Sequence, residues 1–405
     1  MTIPRSMEPG APVAAGAIPL SVPYIHGREW EYVKETLDTG WVSSVGPFVT
    51  RLETEFAAAV GAHHAVAVGS GTAALHIALV VSGIGAGDEV ILPSLTFIAP
   101  ANAIRYTGAW PVLLDVDPDT YQLDPNAVAE FLSSECARDG AGVLRNRHTG
   151  RAVRAILPVD LIGHPVDHEP LERLAKSYGL QIIEDATESL GAHYRGRKVG
   201  SFPRFACFSF NGNKLLTTGG GGMLVVHDEA LAKRARYLTT QAKDDPVEFV
   251  HGAVGYNYRL TNVQAAIGCA QLEQLDAFLE KKRRIRERYL AAFADIEGIT
   301  PQSEASWARS AHWLFTVRVN AARFGSDSRQ LMSRLGERAI QARPFWQPLH
   351  LSPAMIGSWA SACSIATELN RECLSLPCSV GLTDEEQERV IDAVRHASKS
   401  GLAES

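Results

Sequence analysis

One lysine, Lys214, stands in a polar turn between two apolar segments of the chain. Residues 205–210 form an aromatic-rich segment before the turn, and Gly219–Gly222 lead into the apolar segment 223–226. Aromatic surroundings disfavour an ammonium group, so part of a lysine held there stays a free amine. A free amine adds to carbonyl carbons, and the turn therefore predicts a Schiff-base lysine. The alternative is a surface lysine in a flexible hairpin.

A strand-to-helix junction at Gly69–Thr72 is the second chemical feature. Backbone N–H groups at the start of a helix bind phosphate, and glycines let a phosphate approach closely. The junction lacks the spacing of a Walker loop or of the dinucleotide-binding glycine pattern. A phosphate site and a plain tight turn therefore both remain open.

Two further side chains follow apolar strands and can serve the same site. Asp185 ends an apolar strand, and ligands of open α/β sheets bind beyond the carboxyl ends of the strands. A carboxylate there can hold a heteroaromatic nitrogen protonated, as pyridoxal chemistry requires. Phe97 also follows a strand and can stack on a flat ring. The alternatives are a helix-capping aspartate and a core phenylalanine.

The elements that position these residues alternate between short β-branched segments and helical patterns, which predicts an α/β fold around a largely parallel sheet. The expected strands are 65–68, 89–92, 111–114, 155–159, 181–183, 205–210 and 223–226. The expected helices are 30–38, 52–60, 73–81, 98–106, 125–132, 170–178 and one or two over 261–293, with a surface loop at 139–151.

The remaining segments suggest how the chain divides into domains. A strand at 313–319 and helices at 328–335 and 384–396 predict a smaller C-terminal α/β unit. We expect a mobile tail at 1–18, a large domain at 19–275 and a small domain at 276–405. The basic run Lys281–Arg284 is expected to be the solvated face of a helix.

The composition excludes several classes of function. The chain has 405 residues, 46% of them hydrophobic and 21% charged, and a net charge of -6, which gives no general attraction to nucleic acids or anionic membranes. No apolar run approaches the ~20 residues of a membrane span, and residues 1–16 lack the pattern of a signal peptide. The six cysteines show no metal-binding spacing. We expect a cytoplasmic protein with reduced thiols, no metal, and no nucleic-acid or membrane partner.

From Pro19 onward the sequence resembles the DegT/DnrJ/EryC/StrS sugar aminotransferases, pyridoxal-phosphate enzymes of fold type I that act on nucleotide-linked keto-sugars. The matching stretches are Gly40–Ser44, Gly71–Leu75, Pro93–Phe97, Gly163–Pro165, Glu184–Glu188, Ser209–Lys214 and Gly255–Arg259. The resemblance implies a large domain with a mostly parallel seven-stranded sheet flanked by helices and a smaller C-terminal α/β domain. Gln241–Asp245 and Gly255–Thr261 are most similar to the branch that makes UDP-linked 4-amino-4,6-dideoxy-N-acetylglucosamine.

The resemblance also implies roles for individual residues. Lys214 matches the lysine that forms an aldimine with pyridoxal 5′-phosphate, and Asp185 matches the partner of the pyridine nitrogen, so both are expected to be catalytic. Glu188 stands where many relatives have a glutamine near the phenolic oxygen, and Asn257 matches an asparagine that reaches the phosphate of a second subunit in a homodimer with shared sites. The expected cofactor-binding residues are Gly71, Thr72, Phe97, Asp185, Glu188, Ser209, Lys214 and Asn257.

The implied reaction is a ping-pong transfer of an amino group from L-glutamate to C4 of a nucleotide-linked 4-keto-6-deoxy sugar, with UDP-4-keto-6-deoxy-N-acetylglucosamine as the expected substrate. The candidate substrate contacts are His164, Arg259, Arg343 and His350. An ordinary turn residue is the alternative for His350, and a surface salt bridge is the alternative for either arginine. The alternative functions are a dTDP-linked 3-keto sugar aminotransferase and a non-catalytic regulatory protein with the same fold.

Overall fold

The computed structural model describes residues 16–245 and 247–398 of the chain. The α-helices of these ranges are α1 (Glu29–Asp38), α2 (Pro47–Val60), α3 (Gly71–Val81), α4 (Ala99–Tyr106), α5 (Pro125–Glu130), α6 (His168–Tyr178), α7 (Glu229–Thr239), α8 (Asn262–Leu272), α9 (Leu275–Phe293), α10 (Ala321–Phe324), α11 (Ser328–Glu337), α12 (Ser364–Glu372) and α13 (Asp384–Ala397). Short π or 3-10 segments lie at Phe131–Glu135, Leu161–Gly163, Leu349–Leu351 and Pro353–Met355.

The strands in the same ranges are β1 (His64–Val68), β2 (Asp88–Pro93), β3 (Trp110–Leu114), β4 (Cys136–Arg138), β5 (Leu144–Asn146), β6 (Ala152–Ile156), β7 (Gln181–Asp185), β8 (His193–Tyr194), β9 (Arg197–Lys198), β10 (Phe205–Ser209), β11 (Gly222–Val226), β12 (Lys243–Asp245), β13 (Val250–His251), β14 (Ile299–Pro301), β15 (Ala308–Arg309), β16 (Phe315–Val319), β17 (Arg343–Pro344), β18 (Trp359–Ala360) and β19 (Cys373–Leu376).

A large sheet runs through the middle of the molecule in the order β1-β11-β10-β7-β6-β2-β3. From β10 to β3 all neighbouring strands are parallel, whereas β11 is antiparallel to both β1 and β10. The mostly parallel sheet implied by the resemblance is therefore confirmed, although within the described residues it has ten strands rather than seven. The short strand β18 extends the sheet beside β3, and the hairpin β4–β5 joins it at β6.

Both faces of this sheet are covered, because successive strand residues point to opposite sides. On one side Val66 and Val68 of β1 belong to the same buried cluster as Leu75 of α3. On the other side Ala65 and Ala67 belong to the same buried cluster as Phe56 of α2 and Phe208 of β10. Apolar residues at consecutive strand positions thus explain why the strands form the interior of a three-layer structure.

Helix α3 is the element that fixes one side of the site. Its sequence is apolar on every face and most of its residues are buried, so it lies inside the fold rather than on the surface. It begins directly after the carboxyl end of β1, next to the ends of β7 and β10. The first turn of α3, Asp185 and the lysine turn therefore meet at one edge of the sheet.

A second, antiparallel sheet in the order β14-β16-β19-β17 forms the smaller C-terminal unit. Residues of α9, α11 and α13 pack on it within the same continuous buried cluster as α3. Ile18 is fully buried and forms backbone hydrogen bonds with Ala339 and Gln341, although the tail was expected to extend to this residue. Residues 1–15 of that expected tail lie outside the described residues.

Three details of the sequence interpretation were wrong. The expected strand at 155–159 lies earlier, at Ala152–Ile156, and the expected loop at 139–151 contains β5 in a hairpin. Lys282, in the basic run of α9, is only 3% exposed and so does not belong to a solvated face. The interval 261–293 forms two helices, which is one of the two arrangements expected from the sequence. None of the helices in the described ranges combines the length and apolar character required to cross a membrane.

Candidate active site

A cavity of about 640 Å³ opens beyond the carboxyl ends of β1 and β10 and reaches the smaller sheet. Most of the residues singled out in the sequence contribute to its wall, together with several aromatic side chains from the C-terminal unit. Its lining includes Gly69–Thr72, Phe97, Thr187, Glu188, Ser209, Lys214, Trp313, Arg343, Phe345 and Trp346.

Lys214 projects into this cavity from the turn between β10 and β11. Its side chain is 13% exposed, and Nζ donates a hydrogen bond of 3.1 Å to Oε1 of Glu188. The same nitrogen lies 3.8 Å from the centroid of the Trp313 ring, a cation–π distance. The alternative of a surface lysine is excluded, because the amine is held between a carboxylate and an indole face.

Asp185 lies buried at the end of β7, below the cavity. Its Oδ1 accepts a hydrogen bond of 3.1 Å from the backbone N–H of Thr187. Burial raises the pKa of the carboxyl to about 6, while Thr187 and the charge of Lys214 act in the opposite direction. At neutral pH the carboxylate is ionised with no cation in direct contact among the described residues, so it is available for a protonated ring nitrogen.

Glu188 is held from two sides. One carboxylate oxygen accepts the hydrogen bond from Lys214, and the other accepts a bond of 2.7 Å from the backbone N–H of Ile162. Ile162 has φ +62°, a left-handed conformation that is costly for a β-branched residue. The structure therefore makes Glu188 a partner of Lys214, and its contact with the cofactor stays a prediction.

The start of α3 forms a cradle for an anion. Oγ of Ser70 accepts the N–H of Ala73, which leaves the N–H groups of the first turn beside the cavity. A Cβ added to Gly71 would lie 2.9 Å from Cβ of Ser209 and 3.0 Å from Cγ2 of Thr187, so no side chain fits at this position. Helix dipole, free N–H groups and the Ser209 hydroxyl suit a phosphate group.

We expect Gly71→Ala to weaken the binding of pyridoxal phosphate to the apoprotein by about 10- to 100-fold, because the added methyl group crowds Ser209 at the cradle. Gly85→Ala is the matched control, since open space surrounds Gly85. Titration of each apoprotein with the cofactor, followed by absorbance, measures the effect. Equal affinities of the two variants for the cofactor would show that its phosphate does not bind at this loop.

Aromatic side chains supply the rest of the wall. Phe97 is 53% exposed and lines the cavity, so it is not a core residue. Trp313 and Trp346 are stacked on each other with centroids 6.2 Å apart and an interplanar angle of 14°. Sequence reasoning missed Trp313, whereas Trp346 lies within the stretch from Arg343 to His350 that the sequence proposed for substrate contact.

The structure brings one of the four predicted substrate residues, Arg343, to the cavity. Its side chain is exposed and forms no ion pair or hydrogen bond among residues 16–245 and 247–398. Arg259 lies elsewhere, where its Nε donates to the carbonyl of Ser44 at 2.9 Å. Asn257 is exposed and lies outside the cavity wall of its own chain.

The two predicted histidines also lie away from the cavity. His164 is 1% exposed, with Nδ1 donating to the carbonyl of Pro165 and Nε2 accepting from the N–H of Ala305. Burial lowers its pKa to about 4, so the ring is neutral and both nitrogens are used. Nδ1 of His350 lies 2.7 Å from Oγ of Ser94, and neither residue lines the cavity. The geometry opposes a substrate contact for His164, whose ring nitrogens are both engaged, and for His350 such a contact stays a prediction.

The chemistry of the donor set fits pyridoxal phosphate. An amine, a flat aromatic ring and a helix N-terminus line one cavity, and the buried carboxylate of Asp185 lies next to its wall through Thr187. These four groups correspond to the aldehyde, ring face, phosphate and ring nitrogen of the cofactor. The six cysteines are unpaired and buried, and none of them lines the cavity.

Comparison with known proteins gives a consistent match. The model of the DegT/DnrJ/EryC1/StrS aminotransferase family matches residues 23–395. The GDP-perosamine synthase of Caulobacter vibrioides is 39% identical over 93% of this chain and 97% of its own. The enzyme of the same name from Escherichia coli is 36% identical over 91% of this chain and 95% of its own. A solved structure from Streptococcus pneumoniae, named as a sugar aminotransferase in its PLP form, has a TM-score of 0.84 at 26% identity and covers 95% of this chain and 99% of that one.

Proposed function

Because this chain belongs to the DegT/DnrJ/EryC1/StrS aminotransferase family and is a pyridoxal phosphate-dependent sugar aminotransferase, we propose that it transfers an amino group from L-glutamate to C4 of a nucleotide-linked 4-keto-6-deoxy sugar. The observation that carries the proposal is the Lys214 amine, held in the cavity by Glu188 and Trp313 near the buried Asp185. The presence of both Lys214 and Asp185 favours an active enzyme over a non-catalytic protein with the same fold.

The bound cofactor supplies the electron sink for the reaction. Asp185 would keep its ring nitrogen protonated, and the first turn of α3 with Ser209 would hold its phosphate. Lys214 would accept and return the proton at its Nζ, and Glu188, which accepts a hydrogen bond of 3.1 Å from this nitrogen, would stabilise its charged form. Trp313 covers the amine and limits the access of water.

The sequence favours a UDP-linked N-acetylhexosamine as the acceptor, through Gln241–Asp245 and Gly255–Thr261. A GDP-linked sugar is a second candidate, because two relatives that match almost the whole chain are GDP-perosamine synthases. Parallel assays with UDP-, GDP- and dTDP-linked keto-sugars would separate the two. Preferred turnover of a dTDP-linked 3-keto sugar would overturn amination at C4.

Arg343 is our candidate for the diphosphate of the nucleotide, because a guanidinium that has no side-chain partner among the described residues can bind two phosphate oxygens at once. We expect Arg343→Ala to raise the KM for the sugar nucleotide by about 10-fold or more and to leave the glutamate half-reaction nearly unchanged. Arg338→Ala, at an exposed arginine outside the cavity wall, is the matched control. Equal losses in both half-reactions would assign Arg343 to the donor or to the fold.

We also propose that the enzyme works as a homodimer with shared sites. The support is the exposed Asn257, which lies outside its own cavity wall and matches the asparagine that crosses between subunits in the family. We propose a cytoplasmic location as well, because the six cysteines are unpaired, as is usual in a reducing compartment. Sedimentation of the purified protein tests the dimer.

A further inference from the structure

Lys282 is a buried lysine that the reaction described above does not use. It lies on α9 within a basic run, yet it is only 3% exposed, whereas Arg284 in the same run is exposed. The burial of Lys282 must be compensated, because removing an ammonium group from water costs several kcal/mol unless hydrogen bonds within the protein offset this cost.

The compensation comes from two backbone carbonyls. Nζ of Lys282 donates a bond of 2.7 Å to the carbonyl of Trp313 and a short bond to the carbonyl of Cys378. No carboxylate forms an ion pair with this nitrogen within the described part of the chain. One ammonium group thus fixes the chain just before β16 to the chain just after β19.

The first of these segments leads directly to the active site. The indole Nε1 of Trp313 donates a bond of 2.7 Å to the carbonyl of Asn213, the residue before Lys214. Its ring faces the Lys214 amine at 3.8 Å. Trp313 therefore restrains both the backbone and the side-chain nitrogen of the catalytic lysine.

Gly163 lies closely packed between the backbone of Trp313 and the backbone of Glu188, the other partner of Lys214. A Cβ on Gly163 would lie 2.9 Å from the backbone nitrogen of Trp313 and 2.9 Å from the carbonyl oxygen of Glu188. Gly163 directly follows Ile162, whose N–H holds the Glu188 carboxylate. A shift of the Trp313 backbone would therefore be transmitted to both groups that hold the amine.

We propose that Lys282 is a positioning residue for transamination, acting through Trp313. It anchors the carbonyl of Trp313 so that the indole stays over the Lys214 amine and keeps its bond to Asn213. Lys282 itself touches neither substrate nor cofactor. The inference rests on the proposed function, because it assigns a role in the proton transfers that Lys214 performs.

The test compares variants of the full-length, cofactor-loaded protein in the glutamate half-reaction, followed by cofactor absorbance. We expect Lys282→Met to slow this step by about 10- to 100-fold with little change in the KM for glutamate, because misplacement of a catalytic group by about 1 Å costs up to about 100-fold in rate. Lys282→Arg, which keeps the charge and the donors, should restore most of the rate. Lys281→Met is the neighbouring control and should behave as wild type.

Two further measurements separate positioning from general stability. In a Trp313→Phe background, Lys282→Met should cost clearly less than in wild type, because the indole that it positions is gone. In the apoprotein, Lys282→Met should shift the maximum of tryptophan emission when Trp313 is present. The same substitution should cause no shift in the Trp313→Phe protein. Should Lys282→Met fail to fold, the same comparisons are made with Lys282→Gln, whose shorter amide does not reproduce both bonds of the ammonium group, and Trp313→Phe alone must slow the glutamate step.

The proposal is overturned if Lys282→Met lowers the thermal midpoint while the glutamate step keeps its rate, or if its effect is equal in both backgrounds. The glutamate step involves no sugar, so an error in the proposed acceptor leaves this test intact. A wild-type protein inert to glutamate would instead overturn the proposed function, and this inference with it.

Discussion

Replacement of Lys214 by alanine should lower the rate of transamination by about 10⁴-fold or more, the largest effect that we expect in this protein. The reason is that the same amine binds the cofactor covalently and carries the proton, and no other lysine lines the cavity within the described residues. The half-reaction with glutamate and overall turnover both measure the loss. Lys233→Ala is the control, because Lys233 is exposed and, in the part of the chain that the structure describes, forms an ion pair only with Glu229.

Chemical trapping makes the same prediction independent of turnover. Reduction of the loaded protein with borohydride and peptide mapping should place the pyridoxyl group on Lys214, and the Lys214→Ala protein should carry none. The fold should persist in this variant, because only the hydrogen bond to Glu188 and the contact with the Trp313 ring are lost. A pyridoxyl group on a different lysine would contradict the assignment.

Asp185→Asn should give the second largest loss, about 10²- to 10³-fold in the glutamate half-reaction. The neutral amide keeps the size of the side chain and cannot hold a ring nitrogen in its protonated form. Glu89→Gln is a suitable control, since Glu89 is a buried carboxylate on β2 that bonds Asn146 and Thr149, outside the cavity wall. It should reduce stability and preserve the half-reaction.

The pKa of Asp185 adds a pH dependence to this prediction. Burial raises the pKa from 3.8 to about 6, so in the apoprotein the carboxylate is lost as the pH falls through about 6. Cofactor affinity should therefore decrease below that pH in wild type more than in Asp185→Asn, in which this group no longer titrates. Identical pH profiles for the two proteins would show that Asp185 does not interact with the ring nitrogen.

Much of the site could be predicted because it depends on local patterns. Strand segments that end in a glycine turn, in Asp185 or in the lysine turn all place their last residues at one edge of a parallel sheet. The periodicity of the apolar residues was enough to locate these ends. The cradle at Gly71 and the position of Lys214 followed from the same reasoning.

The residues that escaped prediction are defined by contacts between distant parts of the chain. Trp313 bonds the carbonyl of Asn213 across 100 residues, and nothing in its local sequence indicates that contact. Lys282 looked solvated because its neighbours on α9 are charged, and only the packing of α9 on the chain before β16 buries it. His164 was assigned to the substrate from its motif, but the approach of Ala305 uses its second nitrogen.

The most direct test of amino-group transfer from L-glutamate to the sugar follows the nitrogen atom itself. The purified enzyme, loaded with pyridoxal phosphate, is incubated with nitrogen-15-labelled L-glutamate and the nucleotide-linked 4-keto-6-deoxy sugar, and the products are separated and weighed by mass spectrometry. We expect 2-oxoglutarate and a nucleotide-linked 4-amino sugar that carries the labelled nitrogen. The Lys214→Ala protein should form neither product. An unchanged keto-sugar with every nucleotide carrier, or an amino sugar without the label, would contradict this transfer.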